Sequence, residues 1–162
     1  MPDGQTSHPG IDFSAPSGTA IISATHGEIT GFAVHGCGGG TLTVMTDIVG
    51  YYEPRSKMRI PVYAKYVHVT IKDGLKAGDA IQPGDHIGFV QPWAADKCSG
   101  PIEHVHYELR VLDNKREHVD PSPHWLNGPG NVTCFNAGVS VPKGKAVAPL
   151  RCKPSRKLDK AS

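Results

Sequence analysis

The sequence predicts an all-β protein, and three features support this fold class. Nineteen glycines and 14 prolines are spread over 162 residues, a share well above the roughly 12% that is usual, so the chain contains many turns. Between these turns, short β-prone segments alternate apolar and polar residues. No long segment shows the clean periodicity of an amphipathic helix.

Several segments are expected to form an antiparallel sheet or sandwich. They cover residues 18–24, 28–34, 41–45, 62–69, 74–90 and 104–110, and the range 74–90 holds two short strands around a Pro-Gly turn. Residues 47–61 are an excursion rich in Tyr, Arg and Lys. They form either a solvated hairpin or a wall of a substrate groove that includes Tyr51 and Tyr52.

The chain divides into a domain over residues 1–126 and an extension over residues 127–162. The segment 119–126 is expected to close the domain with a short helical turn or an extended clasp. The extension is basic and rich in Gly and Pro, and it is expected to be irregular with little core. Its positive charge indicates either a solvated tail or loose attraction to an anionic surface such as a bacterial envelope.

Charge and hydropathy exclude two classes of function. The formal net charge is +2, too small to indicate nucleic-acid binding. No apolar run of about 18 residues is present, so no membrane span is expected. The N-terminus is polar and shows no signal peptide, so an export signal is not visible in this chain.

The four cysteines are Cys37, Cys98, Cys134 and Cys152. No Cys-x-x-Cys pair occurs, which argues against a zinc knuckle. An even number of well-spaced cysteines indicates two disulfides and a periplasmic or extracellular site of action, whereas four reduced thiols would fit a cytosolic protein. Three pairings are possible, and we favour Cys37–Cys98 with Cys134–Cys152.

The segment His104–Arg110 is the central strand of the site that we predict. Val105, Tyr107 and Leu109 alternate with polar residues, so one face can enter the core while His104 and His106 lie side by side on the other. Two adjacent imidazoles repel each other when charged, and a metal that accepts a lone pair from a neutral imidazole removes this repulsion. Alone, the pair fits either a metal or catalytic site or a solvated strand face.

A second pair of potential ligands lies near the N-terminus. His8 and Asp12 are separated by Pro9-Gly10-Ile11, and Pro-Gly favours a turn that can bring the imidazole and the carboxylate together. With one more imidazole they would form a three-ligand zinc site with an open fourth position, which is the pattern of catalytic zinc. Alternation places His68 on the same strand face as Tyr66, where a single histidine is usually structural.

The ordered combination of these motifs resembles the lysostaphin-type zinc endopeptidase family over roughly residues 8 to 126. It consists of His8-x-x-x-Asp12, Tyr66-x-His68, a glycine-rich run from Gly78 to Gly88, and His104-x-His106 followed by Tyr-Glu-Leu-Arg. The resemblance implies a β-sandwich with a groove floored by a sheet. It also implies one zinc ion held by His8, Asp12 and His106, with His68 and His104 as catalytic residues.

The function implied is hydrolysis of peptide cross-links or stem peptides of bacterial peptidoglycan, with a possible hydrogen bond from Tyr66 to the substrate. The alternative is a non-catalytic member that binds cell wall or activates another hydrolase. Such members typically lose zinc ligands, whereas this chain keeps them. It departs from the family in the long 47–61 excursion, in the cysteine-bearing extension, and in Pro101-Ile102-Glu103 before the first histidine of the pair. The sequence leaves open whether an inhibitor, immunity or delivery partner exists and does not identify one.

Overall fold

The computed structural model describes residues 10–35, 39–50, 52–53, 57–92, 103–111 and 117–152. This part of the chain consists of strands, turns and one 3₁₀ turn at Ser122–His124, which confirms the predicted all-β class. The strands are β1 Ile11–Ser14, β2 Ala20–Ile22, β3 Gly27–His35, β4 Gly39–Thr46, β5 Tyr52–Glu53, β6 Met58–Arg59, β7 Val62–Ile71, β8 Ala80–Ile81, β9 His86–Val90, β10 His104–Val111 and β11 Glu117–Val119. Each predicted strand segment overlaps at least one of them, and 74–90 holds both β8 and β9, whereas β1 and β11 lie outside the predicted segments. None of the helical segments in the described ranges is long and apolar enough to cross a membrane.

Among the described residues, nine strands form one antiparallel sheet, whose main path runs β1-β10-β7-β4-β3-β8. The long strand β7 is its centre, because it pairs with β4 along one edge and with β10 and then β9 along the other. Strand β11 pairs with the end of β10, and β2 pairs with β9. Strands β5 and β6 form a separate hairpin inside the 47–61 excursion.

The core lies against one face of β4, β7 and β10. Tyr66 and Tyr107 are fully buried there, with ring centroids 5.3 Å apart, and Trp125 lies 6.2 Å beyond Tyr107. Val105 and Leu109 flank Tyr107 on the same face, as the alternation in β10 predicts. The opposite face of these strands is therefore left for the site.

The extension contributes more to this core than its composition indicates. Ala146, Val147 and Ala148 are buried, and Val147 N–H donates to the Ala24 carbonyl over 2.9 Å. A disulfide joins Cys134 to Cys152, which confirms one of the two predicted pairings. Part of the extension, including Ala146 and Leu150, thus packs with the core of the domain.

Candidate active site

The pairing of β1 with β10 brings two predicted ligands together. In this register Asp12 lies opposite His106, and Asp12 Oδ1 accepts a hydrogen bond of 2.8 Å from His106 Nδ1. The same oxygen lies 3.6 Å from His104 Nε2. A carboxylate oxygen and imidazole nitrogens therefore converge at one end of the sheet.

Gly10 allows the chain to approach β10 closely just before β1. Its φ is +98°, and a Cβ there would lie 2.5 Å from the Tyr107 carbonyl oxygen and 3.0 Å from the His106 ring. Only glycine fits both restrictions. His8 itself lies outside the described residues, and within them no group of three His, Cys, Asp or Glu side chains forms a metal site.

His106 is buried between two carboxylates. Its Nδ1 faces Asp12, and its Nε2 lies 3.8 Å from Glu108 Oε2. Burial by itself lowers the pKa of His106, but Glu108 and Asp12 outweigh this effect and raise the pKa above its usual value.

Glu108 was not among the site residues predicted from sequence, although it follows His106 on the same strand face. Only 3% of this residue is exposed. Arg110 donates to it twice, from Nε over 2.8 Å and from Nη2 over 3.1 Å, and His118 Nδ1 lies 3.4 Å from Oε2. Burial by itself raises the pKa of Glu108, but His106 and Arg110 outweigh it and lower the pKa below its usual value.

A bulge in β7 turns His68 toward the site. His68 has a φ of +66°, a left-handed conformation that is uncommon for a non-glycine residue, and the β4–β7 register shifts beside it. Tyr66 and Val69 both face the core while Val67 lines the groove, so strict alternation fails at His68. The His68 and His104 rings are 4.6 Å apart and edge-to-face, which corrects the expected placement of His68 on the face of Tyr66.

A groove of about 410 Å³ crosses the polar face of the sheet from β10 toward β3. Glu108 and Arg110 line one side, and Lys65 and Val67 of β7 lie at its centre. The remaining lining residues, on β4 and β3, are Thr41, Thr43, Thr30, Gly31, Phe32 and Ala33. This surface is mainly small, polar or cationic, and it matches the predicted groove over the sheet.

Of the three tyrosines predicted to contact substrate, only Tyr66 has a described side chain. Tyr66 is fully buried on the core face, and its hydroxyl accepts a hydrogen bond of 2.8 Å from Ala24 N–H. This placement argues against a contact between Tyr66 and substrate. Tyr51, Cys37 and Cys98 lie outside the described residues, and for Tyr52 only the backbone, in β5, is described.

Comparison with known proteins supports this architecture. Residues 6–121 match the family model described as Peptidase family M23. The fold is similar to LytU, at 25% identity and a TM-score of 0.54 over 74% of this chain and 76% of that one. It is equally similar to a mutant catalytic domain of the prophage-encoded M23 protein EnpA from Enterococcus faecalis, at 25% identity and a TM-score of 0.53 over 75% and 82% of the two chains.

The catalytic domain of the antimicrobial peptidase lysostaphin from Staphylococcus simulans has the same fold. The TM-score is 0.54 at 20% identity, over 76% of this chain and 82% of that one. A search of curated protein sequences gave no match.

Proposed function

The chain belongs to peptidase family M23, and on this premise we propose that it is a zinc-dependent endopeptidase acting on peptide cross-links or stem peptides of bacterial peptidoglycan. One observation carries the proposal. The β1–β10 register and the β7 bulge bring one carboxylate and three imidazoles together on the polar face of the sheet, beside the groove that Val67 and Glu108 line.

The proposed zinc ligands are His8, Asp12 and His106. Oxygen and nitrogen donors of this kind suit zinc, and three protein ligands leave a position open for water or substrate. The convergence of Asp12 Oδ1 and His106 Nδ1 supports this assignment, because both atoms can turn toward one ion. When bound, zinc would lower the pKa of a water molecule toward ~7 and polarise the scissile carbonyl.

His104 and His68 supply the remaining chemistry in this proposal. A neutral imidazole can accept the proton of the attacking water and pass it to the leaving amine. A second imidazole can donate a hydrogen bond to the carbonyl oxygen as negative charge develops there. The two rings are adjacent, and His104 Nε2 is also 3.6 Å from the ligand Asp12, so both roles can be performed beside the proposed metal.

Two further features fit a substrate in the cell wall. The groove is lined by both polar and apolar residues, and its polar side chains suit an extended peptide, whose backbone groups need hydrogen-bond partners. The Cys134–Cys152 disulfide fits a site of action in an oxidising compartment outside the cytoplasm, where peptidoglycan is located.

Digestion of purified sacculi tests the proposal. The zinc-loaded protein and its His104→Ala variant are incubated with sacculi of several cross-link chemistries, and the muropeptides are identified by mass spectrometry. We expect cross-linked dimers to decrease and monomers to increase with the wild-type protein alone. Sacculi that bind both proteins but lose no dimers or stem peptides would instead favour the non-catalytic alternative.

A further inference from the structure

Glu108 is unusual among the carboxylates of the described residues because it is almost fully buried on the polar face of the sheet. Burial of a carboxylate is unfavourable unless charged or hydrogen-bonding partners compensate. Arg110 supplies a two-pronged contact with both carboxylate oxygens, and His118 adds a third contact at 3.4 Å. These contacts fix the carboxylate in position and orientation.

The sheet itself assembles this cluster. His106, Glu108 and Arg110 occupy alternate positions of β10 and so share one face. The β10–β11 register places His118 opposite Arg110. The carboxylate is therefore held by regular strand pairing, on the same rigid element as His106.

The two nitrogens of His106 face different carboxylates. Nδ1 is directed at Asp12 over 2.8 Å, and Nε2 lies 3.8 Å from Glu108. If Nδ1 gives its lone pair to a metal, the proton of the neutral ring is at Nε2, the atom that faces Glu108. At 3.8 Å the contact is longer than a direct hydrogen bond, so Glu108 acts on the ring through its charge and by occupying the space beside it.

We propose that Glu108, held by Arg110 and His118, is a positioning residue that fixes the orientation and the tautomer of His106 for metal binding. This inference rests on the proposed function, since it needs His106 to be a zinc ligand. A carboxylate behind a ligand histidine commonly raises metal affinity by about 10- to 100-fold. A purely structural Glu108–Arg110 pair would instead change folding stability and leave zinc affinity unchanged.

The test compares Glu108→Gln with Glu28→Gln, the same chemical change on an exposed position of β3. Zinc affinity is measured by competition with a chromogenic chelator, and thermal unfolding of the metal-free proteins is measured in parallel. We expect Glu108→Gln to bind zinc about 10- to 100-fold more weakly and to change the absorption spectrum of the cobalt-substituted protein. Glu28→Gln should match the wild type in both respects.

Equal zinc affinities of Glu108→Gln and wild type would overturn this inference alone. A wild-type chain that binds no zinc would overturn the proposed function and this inference with it.

His118→Gln provides a second variant, because His118 is partly exposed and its replacement disturbs the core less. We expect a smaller loss of zinc affinity than for Glu108→Gln. In a double-mutant cycle the His118 effect should disappear when Glu108 is already Gln. An undiminished effect of His118→Gln in that background would contradict the proposed link through Glu108.

Discussion

The two faces of strand β10 differ in what their side chains contact. Val105, Tyr107 and Leu109 are buried among apolar neighbours, whereas His104 and His106 meet the carboxylate of Asp12 and the ring of His68. We therefore expect alternate residues of one strand to serve stability and the proposed chemistry separately. Substitutions on the two faces should therefore be separable by measuring unfolding and zinc binding independently.

The largest effect is expected for His106→Ala on the groove face, the face of β10 that carries His104, His106 and Glu108. It removes a proposed ligand, so zinc and hydrolytic activity should be lost together. The metal-free protein should still fold, because the core face of β10 is unchanged. Metal analysis after gel filtration, together with the sacculus assay, measures both effects. Stoichiometric zinc in the purified variant would contradict the ligand role.

His104→Ala should separate zinc binding from catalysis on the groove face. His104 is proposed to move protons or stabilise charge rather than to bind zinc, so zinc content should stay at the wild-type level. Turnover should fall by about 10²- to 10⁴-fold, the usual contribution of a positioned acid or base. Rates on a cross-linked peptide at equal zinc occupancy measure this. Near-normal turnover would remove His104 from the catalytic residues.

The division between the two faces of β10 is predictable from sequence, because β10 pairs with β1 and β7 without a register shift and therefore keeps strict alternation. The partnership of Asp12 with His106 is not, since the two residues are 94 positions apart in the chain. Local patterns cannot specify such pairing. Before the structure, only the resemblance to a known family placed Asp12 and His106 in one site.

Strand β7 shows where sequence reasoning fails. The bulge at His68 places a non-glycine residue in a left-handed conformation, and neither the residue type nor its neighbours indicates this. Alternation therefore assigned His68 to the wrong face. The burial of Ala146 and Val147 was missed for a similar reason, because short segments of small residues are buried here through contacts with a distant part of the chain.

A change of pH should affect the groove face of β10 more than its core face. In the metal-free protein, the raised pKa of His106 means that its pairing stabilises the fold below pH ~6.5 and that this contribution is lost as pH rises through the folded pKa. The lowered pKa of Glu108 means that its contribution is present above its unfolded pKa and is lost as pH falls through the folded pKa.

If His106 is a zinc ligand as proposed, zinc binding requires its neutral form, so zinc affinity should fall as pH drops below the folded pKa of His106. The expected slope is about tenfold per pH unit for each proton displaced from a ligand. Chelator competition between pH 5 and pH 8 measures this, with Leu109→Ala as a core-face control of unchanged pH dependence. A zinc affinity that does not change between pH 8 and pH 5 would contradict histidine ligation.

On the core face, Tyr66→Phe should lower stability without changing zinc affinity per folded molecule. The substitution removes the oxygen that accepts the Ala24 N–H, and Ala24 is fully buried. A buried donor left without a partner costs about 1–3 kcal/mol. Urea unfolding of the metal-free protein measures the loss. An unchanged free energy of unfolding would mean that Ala24 N–H finds another acceptor.

The smallest effect is expected for Tyr107→Phe, the same chemical change one strand away. Tyr107 pairs with Tyr66 across β10 and β7, but its hydroxyl is buried and finds no hydrogen-bond partner among the described residues. Removal of an unpaired hydroxyl leaves no donor or acceptor behind, so the free energy of unfolding should stay within about 0.5 kcal/mol of wild type or rise. A loss as large as that of Tyr66→Phe would show that the Tyr107 hydroxyl is bonded in solution.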